Sequence, residues 1–191
     1  MNLFKIFITA FLIDNVVLMR FLALCPFIGM STDEDKSVGM GLAVTFVTVL
    51  ATCVTWPIYK FILEPLGLVF LQILAFILVI ASLVQLVEFY LKKSVPGLYS
   101  TMGIYLALIT TNCAILAVTL DNISNGYTLI ESIVYALGAA LGFMLSMLLL
   151  AGIRRRIRTS PVPAFLKGTP ILFVSACLLS IAFMGFSGLV K

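Results

Sequence analysis

Six apolar runs, each about as long as a membrane is thick, constrain this chain more than any single motif. A helix needs about 20 residues to cross a hydrocarbon core roughly 30 Å deep. Runs of that order lie at 3–28, 38–60, 68–91, 99–120, 127–152 and 168–190. Polar punctuation separates them: STDEDKS at 31–37, EPLG at 64–67, KKSVPG at 92–97, DNISNG at 121–126 and RRRIRTSPVP at 154–163. Of the 191 residues, 62% are hydrophobic and 10% charged, where a soluble domain carries about a quarter charged. No water-facing surface could cover that much apolar side chain. Lipid also forces backbone groups to pair within their own segment. The expected fold class is therefore an all-α integral membrane protein with six transmembrane helices, one membrane domain over residues 1–191.

Charge sets the orientation. Lys36, Lys92, Lys93, Arg154, Arg155, Arg156, Arg158 and Lys167 fall in loops on one side, and Lys5, Lys60 and Lys191 on the other. The richer side faces the cytoplasm, which puts both termini outside. The basic excess of 12 Lys and Arg over 8 Asp and Glu thus marks topology, and no nucleic-acid partner is expected. The chain has no histidine, which excludes imidazole catalysis and imidazole–metal sites. The first run lacks a small-residue cleavage site and is interrupted by Asp14 and Arg20, so it is not expected to be a cleaved leader.

Three runs precede KKSVPG and three follow it. An odd number of crossings per half reverses the second half, so any repeat is inverted, with repeat one over 1–93 and repeat two over 94–191. GMGLAV at 39–44 and GAALGF at 138–143 are similar small-residue patches, of the kind that lets helix backbones approach closely in lipid. Cys25 stands eight residues before Asp33, and Cys113 eight before Asp121. Equal offsets in segments of opposite direction place two thiols at related depths.

Both cysteines sit at expected interruptions of helices 1 and 4. Pro26 lacks an N–H and disfavours helix at Cys25, and Gly29 loosens the backbone beyond. Thr110, Thr111 and Asn112 offer side chains to backbone groups freed by a break. Broken helices at matching points of two halves point to a site near the midplane. Thiolates select iron–sulfur clusters, zinc or cuprous ions, and a cluster normally takes four cysteines. Cys53 and Cys177 could complete the set, or a second protein could supply an equivalent pair, which symmetry favours. The alternative is that all four cysteines are small, inert hydrophobes in lipid.

FLALCPFIGMS, GMGLAVTFV, AFILVIASLVQLVE, LITTNCAIL and the closing AFMGFSGLVK resemble the NqrDE/RnfAE family of integral membrane subunits. The likeness runs along essentially the whole chain and is nearest to the A branch of the bacterial Rnf electron-transport complex. The resemblance implies a component of an ion-translocating ferredoxin:NAD+ oxidoreductase in the bacterial inner membrane, working with Na+ or H+. It also implies that Cys25 and Cys113 hold a [2Fe–2S] cluster with two cysteines of a homologous, oppositely oriented membrane protein of the E type. Further Rnf subunits of the B, C, D and G types would be partners. The related E-type component of the Na+-translocating NADH:quinone reductase is the nearest alternative. A non-redox inverted-repeat transporter and a passive membrane scaffold are the others. The family usually has glycine where this chain has Ala23, proline where it has Ala107, and often an acidic residue within the stretch that reads RRRIR at 154–158.

Other polar residues carry expectations of their own. Asp14, Asn15 and Arg20 interrupt segment 1. The ionisable residues are functional candidates, a neutralising Asp14–Arg20 pair, or residues partnered by a neighbouring subunit. Gln85, Glu88 and Glu131 lie near segment ends, where side chains reach the interface. Trp56, Tyr59 and Tyr90 suit interfacial anchoring.

Overall fold

The computed structural model describes residues 3–31, 34–67, 69–94, 108–161 and 163–188. Asp33, Ala107, the Pro–Gly pair of KKSVPG, residues 99–107 of the fourth run and the last three residues lie outside them. Every regular element among the described residues is helical. The first run is broken into α1 (Leu3–Ile8), a π-helical turn (Thr9–Ile13), α2 (Val16–Arg20) and α3 (Leu24–Met30). Then come α4 (Glu34–Ile58), α5 (Gln72–Ser94), α6 (Cys113–Ser124), α7 (Leu129–Arg158) and α8 (Thr169–Met184).

Three helical stretches are long and apolar enough to cross a membrane: Ser37–Leu63, Gln72–Phe89 and Leu129–Arg158. Shorter apolar helices at Leu3–Ile13, Leu108–Ser124 and Thr169–Met184 fall in the first, fourth and sixth runs. The chain is a helical, multi-pass membrane protein. Two loops are shorter than the sequence suggests. Helix α4 already begins at Glu34 within STDEDKS, and α6 runs through DNIS to Ser124.

Helix α7 is the central column. At 1.5 Å per residue its 30 residues extend about 45 Å. It packs against α4, the pieces of the first run, α6 and α8. Its buried side includes Ala136, Gly138, Ala139, Ala140, Gly142 and Ser146, small residues that admit neighbouring backbones. A Cβ at Gly138 would lie 2.9 Å from the Phe7 carbonyl oxygen, and one at Gly142 2.8 Å from that of Phe11. The two patches resembling each other in sequence therefore serve different neighbours. GAALGF receives the first run, and Gly41 of GMGLAV lies against Met144 of α7.

Helix α5 is peripheral. Phe76, Ile80 and Val84, spaced one turn apart, are buried, and Leu74, Leu78, Leu86 and Phe89 are exposed. A helix apolar all round with one stripe inward suits lipid on its other side. Along α4, the hydroxyls of Thr45, Thr48, Thr52 and Thr55 each donate to the carbonyl four residues back, at 2.6–2.9 Å. Those bonds leave no threonine hydroxyl of that row unpaired in an apolar setting. Pro57 near the end of α4 cannot donate, and the next turn, Tyr59–Leu63, widens to a π-helix. Glu131 closes a capping box with Thr128, accepting its backbone N–H and hydroxyl at 3.0 Å each. That role belongs to the helix start. Trp56 donates its indole N–H to the Tyr127 carbonyl at 3.0 Å, and the Lys60 ammonium lies 5.0 Å from its ring centre.

Candidate functional site

Two helix breaks face each other. The first begins at Asn15, which is fully buried and extended, with φ −65° and ψ 111°. Its Oδ1 accepts the Val17 N–H at 3.2 Å and caps α2, and its Nδ2 donates to the Gly142 carbonyl at 2.9 Å. Asparagine caps well because its short side chain reaches a donor that the helix itself leaves free. Helix α2 lasts five residues. Phe21 then turns into the left-handed region at φ 52°, and Ala23 follows at φ 58°. For side chains with a Cβ, each such residue costs about 1–2 kcal/mol, so two in three positions mark a site held by its surroundings. Ala23 stands where the family resemblance implies glycine, the residue that takes this conformation freely.

The break falls upstream of the position expected from Pro26. Cys25 and Pro26 both lie inside α3, in its first turn. Proline is tolerated there because the first N–H groups of a helix have no partner within it. The interruption at Cys25 is thus corrected to Phe21–Ala23.

The second break matches the expectation more closely. Thr111 and Asn112 interrupt the helix, and Cys113 is the first residue of α6. Asn112 has φ −72° and ψ 110°, and its Oδ1 accepts the Ala114 N–H at 3.1 Å.

The breaks meet through sulfur. The backbone N–H of Ala23 donates to Cys113 Sγ at 2.8 Å. Cys25 is two residues beyond Ala23, a reach of at most about 7 Å of chain. Both thiols are free and exposed on the surface of the chain. Two exposed sulfurs, one already accepting a backbone N–H, suit half of a four-cysteine set. Among the described residues, no group of three or more Cys, Asp or Glu gathers to hold a metal. Cys53 on α4 and Cys177 on α8 therefore do not join Cys25 and Cys113.

Residues outside the motifs support these elements. Arg154, the first of RRRIR, donates to the Ile28 carbonyl at 3.1 Å and reaches Ser31 Oγ at 3.4 Å. A cation at the carbonyl end of α3 offsets its dipole and fills free acceptors. Ser180 of α8 donates to the Leu18 carbonyl at 2.6 Å. Arg20 bridges Asp14 at 3.1 Å and Asp121 at 2.7 Å, and the Tyr135 hydroxyl donates to Asp121 at 3.2 Å. The Asp14–Arg20 neutralisation is present, with Asp121 as a second carboxylate from the other half of the chain. Sequence reasoning missed Asn15 as a cap, although Asn directly before Val-Val-Leu is a recognisable helix start. Nothing local in the sequence signals Arg154 or Asp121 in these roles.

The arrangement defines a multi-pass membrane protein with a surface pair of thiols held by two interrupted helices. The chain belongs to the family described as Rnf-Nqr subunit, membrane protein, which matches residues 3–190. It is 54% identical over 189 residues to the A-type component of the Na(+)-translocating ferredoxin:NAD(+) oxidoreductase complex of Acetobacterium woodii, covering 99% of this chain and 98% of that one. It is 53% identical over 189 residues to the A-type component of the ion-translocating oxidoreductase complex of Syntrophotalea carbinolica, with coverage of 99% and 98%. The corresponding protein of Yersinia enterocolitica is 50% identical over 186 residues, with coverage of 97% and 96%.

Proposed function

We propose that this chain is the A-type component of an ion-translocating ferredoxin:NAD+ oxidoreductase. In this reading Cys25 and Cys113 hold a [2Fe–2S] cluster together with two cysteines of a homologous membrane protein of the same complex. The supporting observation is the contact between the breaks, where the Ala23 N–H meets Cys113 Sγ and leaves both thiols on an outer surface. A cluster bound there would pass single electrons and divide a roughly 30 Å apolar crossing into shorter steps.

The chain's own residues do the holding. Asn15 and Asn112 start the two short helices, Arg154 secures the far end of α3, and Arg20 ties the first run to α6. An Asn-capped restart in each half supports six crossings arranged as inverted repeats, and the excess of Lys and Arg in the loops of one side supports both termini outside the inner membrane. Such a frame can rock one half against the other around a central site, which is how electron passage would be coupled to Na+ or H+. The names of the relatives favour the Rnf complex over the NADH:quinone reductase.

Purification of the chain with its homologous membrane partner tests this. The expected result is visible absorption bleached by dithionite, a paramagnetic reduced state, and about two iron atoms per pair. A colourless, iron-free pair that moves a solute unaided would instead place the chain with the non-redox transporters.

A further inference from the structure

We infer that the backbone N–H of Ala23 is a positioning group for the electron carrier, donating a hydrogen bond to the ligand sulfur of Cys113. This role rests on the cluster proposed at Cys25 and Cys113. Ala23 is bonded on both sides to the elements that carry those ligands. Its N–H goes to Cys113 Sγ at 2.8 Å, and its carbonyl accepts the Phe27 N–H of α3 at 3.2 Å, within the helix that bears Cys25. One residue thus joins the break in the first half to the ligand of the second.

The left-handed turn is what makes the N–H available. The amides of Phe21 and Leu22 both fold back onto the Val16 carbonyl. A third amide continuing that way would be satisfied within α2. With Phe21 at φ 52° the chain reverses instead and the Ala23 N–H leaves for sulfur, and Ala23 itself, at φ 58°, turns the chain on into α3. Hydrogen bonds to ligand sulfur stabilise the added negative charge of the reduced state and so raise the reduction potential. The same bond fixes the direction in which Cys113 offers its sulfur.

The test uses the dithionite-reduced complex and pulsed electron paramagnetic resonance, which detects nitrogens magnetically coupled to the cluster. Glycine keeps the N–H and adopts the left-handed region freely, so Ala23→Gly should assemble with the same cluster signal. Complex grown on ¹⁵N-alanine is expected to show a ¹⁵N coupling that Ala23→Gly loses, and ¹⁵N-glycine should restore it in the variant. Ala23→Asn, whose side chain also tolerates this region, repeats the comparison if the glycine variant fails to assemble. Identical ¹⁵N spectra of wild type and variant, with the cluster signal present in both, overturn the role of Ala23 and leave the cluster standing. No cluster signal in the wild-type complex overturns the proposed site, and this role with it.

Discussion

The two helix breaks solve one problem with unequal means. Among the described residues the first run is interrupted twice, at Asn15 and again at Phe21–Ala23, and the fourth once. Asn15 restarts α2 and Asn112 restarts α6, each accepting the second amide of the new helix, at 3.2 Å and 3.1 Å. Helix α3, which carries Cys25, restarts on Ala23 with no side-chain cap. The difference lies in what else each asparagine does. Asn15 directs its amide nitrogen to the Gly142 carbonyl, and Asn112 Nδ2 has no partner among the described residues. The first break also holds two left-handed residues, and the second holds none among the described residues. One is bonded to α7 and carries two left-handed residues; the other puts a thiol at the first position of its helix. The two meet where the Ala23 N–H donates to Cys113 Sγ.

The largest test of this comparison removes the ligands. Cys25→Ser or Cys113→Ser should each abolish the cluster signal and electron flow in the complex, with Cys53→Ser and Cys177→Ser leaving both unchanged. Retention of the signal in either of the first two variants would falsify the site. Next come the asparagines. Asn15→Ala loses a cap and a buried amide–carbonyl bond, for about 2 kcal/mol, and Asn112→Ala loses the cap alone, for about 1 kcal/mol. Thermal unfolding in detergent should rank them in that order, and equal shifts would remove the asymmetry argued above.

Arg20→Gln leaves Asp14 and Asp121 without their shared cation. The side chains of Arg20, Asp14 and Asp121 are 39%, 34% and 19% exposed, so screening reduces the cost to about 1–2 kcal/mol. Unfolding of Arg20→Gln together with Asp14→Asn should recover part of that loss. The smallest effect carries the opposite sign. Ala23→Gly relieves a left-handed alanine, worth about 1–2 kcal/mol, against a flexibility cost of about 0.5–1 kcal/mol. The complex should therefore melt slightly higher, and a lower melting point would mean Ala23 is at ease where it stands.

Much of this was legible in the sequence, unevenly. The runs of the long helices could be marked because a lipid core demands about 20 apolar residues in a row. The thiol pair stood out as two cysteines at equal distances from a following aspartate. Pro26 misplaced the first break, because proline forbids a helix interior and is welcome in a first turn. The Asp14–Arg20 pairing was legible, although a straight helix would not have made it. Residues six apart do not meet on a straight helix, where neighbours are three or four apart. They meet here because the chain is interrupted at Asn15, between them.

By itself the sequence determined that this chain lives in lipid, how often it turns polar, and which two sulfurs sit at interrupted segments. Those properties are local, carried by the solvent preference of consecutive residues and by single backbone constraints. Only the tertiary structure decided that Ala23 faces Cys113, that Arg154 ends α3, and that Asp121 shares Arg20 with Asp14. The partners in those contacts lie 90, 126 and 101 residues apart. Helix packing across α7 brings them together, and no periodicity within a segment records it.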